Sequence, residues 1–154
     1  MIRVKESFES RMWRWGGNLF PAYRRVGARV TYVSPDFCEV HVKIPNTWRT
    51  RNHLGITWGG GLYSALDPIY GVMIYKLLGY RHRVVDKCAD IEFKKPVTTT
   101  VYARFQLSRA EIEGIRSCLE SNPKVERSYR VDLVDRAGTV HVSCLKTLCI
   151  LSSP

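Results

Sequence analysis

The segment from Gly59 to Leu77 restricts the possible folds of this chain more than any other feature. Between Gly60 and Tyr75 its only formally charged side chain is Asp67. Its large apolar side chains recur every three or four residues, as in a helix: Leu62, Leu66, Ile69, Met73 and Leu77. A helix that is apolar on nearly all sides has to be covered on both faces. The pattern therefore predicts one buried helix over residues 59–79, enclosed by a sheet.

The pair Asp67-Pro68 leaves a second interpretation of this segment open. Asp is a favoured N-cap residue, and Pro is favoured at the first helical position. Inside a helix, by contrast, Pro costs about 3 kcal/mol. On this interpretation Asp67 only caps a helix that begins at Pro68.

Most of the remaining chain has strand patterns. Apolar residues alternate with polar ones in four groups: Ala28 to Tyr32, Cys38 to Ile44, a group of Val85, Ala89, Ile91 and Phe93, and Val101 to Leu107. The turn at residues 34–36 makes the first two a hairpin. Ser108 is placed to cap a helix over 109–120, and two further strands are predicted at 124–135 and 139–151.

The amino-terminal segment has helical spacing. Val4, Phe8, Met12 and Trp15 lie three or four apart, which predicts an amphipathic helix over residues 3–20 that Gly16-Gly17 ends. We expect it to lie across the surface. The order of elements predicts one α+β domain over residues 1–154 with an antiparallel sheet, in which 1–20 form an N-terminal helix and 26–151 the core.

Charge and composition limit the classes of partner. The chain has 24 Lys and Arg against 14 Asp and Glu, a net charge of +10, which favours anionic ligands. No nucleic-acid-binding motif accompanies this charge, so no nucleic acid partner is expected. The longest apolar run is shorter than the roughly 20 residues that cross a bilayer. No membrane partner is expected, and the absence of a secretory pattern at the N-terminus favours a cytoplasmic location.

Cysteine and histidine spacing gives no sign of a metal site. The five cysteines are an odd number without a CxxC pair, which favours reduced thiols. The four histidines also lack the spacing of metal ligands. We therefore expect neither a metal nor a redox cofactor.

The segment that begins at Asn52 carries the chemistry. A glycine-rich entrance, Gly59-Gly60-Gly61, offers backbone N–H groups to a carbonyl oxygen or an oxyanion. Asp67 follows about two turns later in apolar surroundings, where desolvation is expected to raise its pKa. From the residues alone, Asn52 could equally serve its own loop, the glycines could serve close packing, and Trp58 could be a pocket wall.

This segment resembles the hotdog superfamily, specifically PaaI-like acyl-CoA thioesterases and an uncharacterised branch related to them. The family pattern is Asn-x-x-Gly-x-x-His-Gly-Gly, with an Asp eight residues after the first glycine of the pair. The matching residues are Asn52, Gly55, Gly59, Gly60 and Asp67. Residues 85–96 resemble the strand that follows the helix in the uncharacterised branch, so the likeness covers about residues 26–151.

The resemblance implies a hotdog fold, a homodimer or homotetramer, and hydrolysis of acyl thioesters of coenzyme A or acyl carrier protein. Asp67 would be the general base or nucleophile, the Gly59 N–H would polarise the carbonyl, and Asn52 would orient water or the partner loop. The residues expected to contact substrate are Gly55, Trp58, Gly60 and Tyr63.

Trp58 departs from the family pattern. It stands where the thioesterases usually carry His, and an indole has one donor and no general-base capacity. The alternative function is therefore a sensor or scaffold that binds acyl thioesters without hydrolysing them.

Overall fold

The computed structural model describes residues 4–152, which form four helices and six strands. The helices are α1 (Phe8–Leu19), α2 (Pro21–Val26), α3 (Gly59–Leu77) and α4 (Arg109–Ser121). The strands are β1 (Arg29–Val33), β2 (Glu39–Ile44), β3 (Arg83–Phe93), β4 (Val101–Gln106), β5 (Lys124–Val134) and β6 (Val140–Leu151).

All six strands form one antiparallel sheet in the order β1-β2-β4-β5-β6-β3. Helix α3 packs on it, and side chains from both join one apolar core. Leu66 and Ile74 of α3 and Phe105 of β4 are completely buried there. The predicted α+β architecture with a buried central helix is confirmed, as are the hairpin β1–β2 and helix α4, whose Ser108 accepts a hydrogen bond from the Glu111 N–H.

Helix α3 is continuous through Pro68. The interpretation in which Asp67 caps a helix starting at Pro68 is therefore wrong. Pro68 costs about 3 kcal/mol within a helix, whereas each large apolar side chain buried along α3 contributes about 1.5–3 kcal/mol. The helix ends where Gly79 adopts a positive φ of 75°.

Strand β3 contains a bulge, so its side chains do not all alternate between the two faces of the sheet as predicted. Val85 was expected to share a face with Ala89 and Ile91, but the register against β6 shifts between Asp86 and Cys88. Val85 is exposed in consequence, and Val84 packs on the core instead. The extra residue also turns Asp86 towards α3.

The N-terminal segment differs from its predicted form. Helix α1 does not end at Gly16-Gly17 but continues to Leu19, and the short helix α2 follows. Asn18 explains the extension, because its side chain donates to the Val30 carbonyl at 2.9 Å and accepts from the Val30 N–H at 2.8 Å. The predicted apolar face, Phe8, Met12 and Trp15, is exposed. Residue 3, where the prediction began, lies outside the described residues.

All five cysteines are free. No helix within residues 4–152 is long and apolar enough to cross a bilayer.

Candidate functional site

Asp67 lies in the middle of α3 and is bound by a lysine from the sheet. Lys146 Nζ donates to Asp67 Oδ1 at 2.9 Å and also to the Asp67 carbonyl oxygen. Its third bond goes to Asp86 Oδ2, also at 2.9 Å. An ammonium group has three donors, so Lys146 uses all of them on α3 and β3. We call Asp67, Asp86 and Lys146 the carboxylate–lysine cluster.

Burial differs sharply within the carboxylate–lysine cluster. The Lys146 side chain is 0% exposed, whereas 41% of Asp67 and 33% of Asp86 are exposed. A buried ammonium needs paired charges, because leaving it unpaired costs several kcal/mol. The cluster therefore holds Lys146 inside while one side of each carboxylate faces solvent.

The two carboxyl groups have pKa values shifted in opposite directions. Burial acts to raise the pKa of Asp67, but the hydrogen bond and positive charge of Lys146 outweigh it and hold that pKa below its ordinary value of 3.8. Burial also raises the pKa of Asp86, and the adjacent negative charge of Asp67 raises it further, against the opposing effect of Lys146. The expected rise at Asp67 is thus wrong. Asp86 carries the raised pKa, so Asp67 is the carboxyl that keeps its negative charge to lower pH.

Tyr63 completes this region from one turn earlier on α3. Its ring centroid lies 5.6 Å from Lys146 Nζ, within the range of a cation–π contact. Burial and a hydrogen bond with Asp67 raise the pKa of Tyr63 to about 12. The phenol is therefore a proton-bearing donor beside an ionised carboxylate.

The glycine entrance is built around Trp58, which precedes α3. Side-chain atoms on Gly60 or Gly61 would overlap the Trp58 indole, so both glycines let the ring lie against the first turn of the helix. Gly59 lies beneath the Phe93 ring. A Cβ atom on Gly59 would be 3.1 Å from Phe93 Cζ. Helix α3 begins at these glycines, and Trp58 covers part of its first turn while remaining 44% exposed.

Asn52 and Gly55 lie in the loop before the entrance. The Asn52 side-chain oxygen accepts from the Leu54 N–H at 2.9 Å, and its carbonyl accepts from the Gly55 N–H at 3.0 Å. Gly55 has a φ of 74°, a conformation that favours glycine. Within the described chain, the hydrogen bonds of Asn52 thus stay inside its own loop.

The predicted residues separate into two groups along α3. Asp67 and Tyr63 meet in the carboxylate–lysine cluster, while Trp58, Gly59 and Gly60 form the entrance. Eight helical residues, about 12 Å of axial rise, separate Gly59 from Asp67. One chain therefore does not bring the Gly59 N–H and the Asp67 carboxylate to the same small group.

Sequence reasoning missed Lys146 and Asp86. Lys146 is the only charged residue between Val142 and Leu151, an otherwise apolar or small polar run in a strand. A lone charge in such a strand was a usable indication. The sequence contains no such indication for Asp86, because only the bulge in β3 turns its side chain towards α3.

Among the described residues, no group of three or more His, Cys, Asp or Glu side chains could hold a metal ion.

The chain matches the model of a family described as a domain of unknown function, DUF4442, over residues 10–150. No curated protein matches it. Among solved structures, a protein of unknown function from Pseudomonas aeruginosa, described as a probable thioesterase, has a TM-score of 0.83 at 19% identity, covering 93% of this chain and 95% of its own.

Two further structures are similar. A thioesterase from Haemophilus influenzae has a TM-score of 0.70 at 16% identity over 98% of this chain and 96% of its own. A protein of unknown function from Chlorobaculum tepidum has a TM-score of 0.74 at 14% identity over 93% of each chain. These likenesses confirm the predicted hotdog fold.

Proposed function

We propose, given that the chain belongs to the DUF4442 family, that it hydrolyses acyl thioesters of coenzyme A or of acyl carrier protein. The observation that carries this proposal is Asp67, a half-exposed carboxylate on the central helix that a buried lysine keeps ionised. An ionised carboxylate can accept a proton from water or attack a carbonyl carbon itself. The solved structures described as thioesterases share the fold and give the proposal additional support.

In the proposed reaction Asp67 takes a proton from water as the water oxygen attacks the thioester carbonyl carbon. The carbon–sulfur bond then breaks, the thiolate takes up the proton that Asp67 had accepted, and a carboxylic acid is released. Tyr63 is protonated at neutral pH, and its single O–H can turn from Asp67 to donate to the substrate or to the attacking water. In this scheme the Asp86 carboxylate neutralises part of the charge of the buried Lys146 ammonium and does not contact the substrate.

The proposed site needs a second copy of the chain. Gly59 lies about 12 Å along α3 from Asp67, so its N–H would have to polarise a thioester held by the partner's Asp67. We therefore propose a homodimer or homotetramer in which the entrance of one chain faces the cluster of another. In this arrangement Asn52 shapes the entrance loop, and Gly55, Trp58 and Gly60 contact the substrate.

The charge of the chain fits the proposed carriers. A net charge of +10 favours the phosphates of coenzyme A and the acidic surface of an acyl carrier protein. No metal or cofactor takes part in the scheme. Since both carriers are intracellular, a cytoplasmic location is part of the proposal.

Trp58 supports a second candidate function. Its indole lies against the first turn of α3, where the family pattern has a histidine. A protein that binds an acyl thioester without hydrolysing it would have no need of that histidine. The second candidate is therefore a non-catalytic sensor or scaffold.

Asp67→Asn tests both candidates. The amide keeps the size of the side chain but cannot accept the proton, so we expect kcat to fall by about 100-fold or more. The assay is release of free thiol from a panel of acyl-CoA esters. Asp90→Asn, an exposed position on β3, is the matched control and should keep wild-type turnover.

The result separates the candidates. Wild-type turnover in Asp67→Asn would show that Asp67 is not the catalytic group. If the wild-type protein binds the esters but releases no thiol, the sensor function replaces the enzymatic one.

A further inference from the structure

A cleft of about 720 Å³ lies between the N-terminal helices and α3, and Asp67 is one of the residues that line it. Its walls include Trp13 and Gly17 of α1, Tyr23 and Val26 of α2, and Ile69 and Val72 of α3. Among the described residues that line it, Asp67 alone has a formal charge. The volume is in the range of cavities that bind small molecules.

Specific contacts fix the walls of this cleft. Asn18 makes two hydrogen bonds with the Val30 backbone and ties α1 to β1. The Tyr23 hydroxyl donates to the Ala65 carbonyl at 3.1 Å and ties α2 to α3. The cleft is thus preformed by helices and a strand.

Two glycines keep the α1 wall open. No atom lies within 4 Å of the Cβ positions of Gly16 or Gly17. Helix interiors usually avoid glycine, which costs about 1 kcal/mol there relative to alanine. The space that they leave extends the cleft beside Phe20 and Ala22.

The shape and polarity of the cleft match a ligand with one reactive polar end and a straight apolar body. From Asp67 to Val72 it follows α3 over five residues, about 7.5 Å. A phosphorylated or multiply polar ligand would find no cation among the described lining residues. A very short acyl group would leave most of the apolar lining uncovered.

We propose that this cleft binds the acyl chain of the thioester, and that the substrates carry unbranched apolar chains of medium length, such as octanoyl. This inference rests on the proposed function, in that it places the carbonyl beside Asp67. The methylene groups then run past Pro68 towards Val72, with Gly17 on the opposite wall. Each buried methylene should strengthen binding by up to about 4-fold.

The test measures binding of non-hydrolysable thioethers by calorimetry, so that it does not depend on turnover. Wild-type protein should bind S-octyl coenzyme A at least about 100-fold more tightly than S-ethyl coenzyme A, which has six fewer methylene groups to bury. Gly17→Leu fills the cleft from α1 and should weaken S-octyl binding by about 10-fold or more, the equivalent of roughly two methylene groups. S-ethyl binding should not change.

Gly114→Leu is the matched control, since Gly114 is also a helical glycine with nothing within 4 Å of its Cβ position, but lies in α4. It should bind both thioethers as the wild type does. Val72→Phe fills the cleft from α3 and should repeat the effect of Gly17→Leu, which keeps the test decisive if one variant fails to fold.

Equal affinity of the wild type for both thioethers would overturn the proposal. The proposal would also be overturned if folded Gly17→Leu and Val72→Phe bound the S-octyl compound as tightly as the wild type does. That conclusion would hold even if the wild-type protein hydrolyses thioesters. Chain-length selectivity that both variants abolish would support it. If such a protein released no thiol, the proposed hydrolysis would fail while the acyl-binding cleft would stand.

Discussion

The middle and the beginning of α3 are organised in different ways. In the middle, Asp67 meets Asp86 and Lys146, which come from two strands distant in sequence. At the beginning, Trp58 lies against the glycines that directly follow it. The first region depends on balanced charges around a buried ammonium, and the second on close packing of a partly exposed ring. The two should therefore respond differently to substitution.

Lys146→Met should produce the largest loss of stability. It leaves two adjacent carboxylates without their cation. Breaking a buried ion pair costs about 3–5 kcal/mol, and the partial exposure of both carboxylates reduces this to about 2–3 kcal/mol. Thermal unfolding should show Tm lowered by about 4–12 °C. Lys87→Met removes an exposed lysine that pairs with Glu126 and should cost less than about 1 kcal/mol.

The loss in Lys146→Met should depend on pH. In the wild type, the lowered pKa of Asp67 contributes stability that is present above the ordinary value of 3.8 and is lost as pH falls through the folded value. Without Lys146, burial and the adjacent negative charge raise the pKa of both carboxyls in the folded state. The difference in the free energy of unfolding between Lys146→Met and the wild type should thus be greatest near neutral pH and shrink towards pH ~4. A difference independent of pH would show that Lys146 stabilises the fold by packing alone.

The next largest effect concerns the ionisation of Asp67. Removing a cation within hydrogen-bond distance raises the pKa of a carboxyl by about 1–3. If Asp67 is the general base, the acid limb of the kcat/KM profile should move to higher pH by at least about 1 unit in Lys146→Met. Lys87→Met should leave that limb in place. An unmoved limb in Lys146→Met would assign the limb to another group.

The difference between the two regions also explains how far the sequence could be interpreted. The period of apolar residues in α3 and the alternation in β1, β2 and β4 are local, and local patterns predict local structure. The glycine entrance was predicted for the same reason, because Asn52 to Gly60 are close in sequence. Asp67 was predicted as a site residue because it is a lone carboxylate in an apolar helix.

The partners of Asp67 could not be found in this way. Lys146 is 79 residues away along the chain, and no local rule pairs residues at that separation. Asp86 depends on the bulge in β3, since regular alternation would turn it away from α3. The direction of the Asp67 pKa was therefore mispredicted, because burial was considered without Lys146. The extent of α1 was missed for a similar reason, as Asn18 binds a strand.

Gly60→Ala should have a smaller effect, at the beginning of α3. The added methyl overlaps the Trp58 ring and forces it aside. In Gly114→Ala the methyl meets nothing, so that control should gain about 0.5–1 kcal/mol from higher helix propensity. The free energy of unfolding of Gly60→Ala should be at least about 1 kcal/mol lower than this gain would give, because the displaced Trp58 ring is off its preferred rotamer. The tryptophan fluorescence emission of Gly60→Ala should also shift. Equal gains in the two variants would mean that the indole does not rest on the helix.

Trp58→His should have the smallest effect on stability and a modest one on activity. The indole is 44% exposed, so little buried area is lost. Imidazole is smaller, uncovers the first turn of α3, and supplies a donor or acceptor where the indole has one donor. We expect thiol release to rise by no more than about 10-fold, below the usual general acid–base range of about 100-fold or more. Trp48→His, at an 80% exposed loop position, is the control and should change neither property. A fall in activity with Trp58→His alone would show that the indole itself binds the substrate, and the beginning of α3 would then serve recognition rather than carbonyl polarisation.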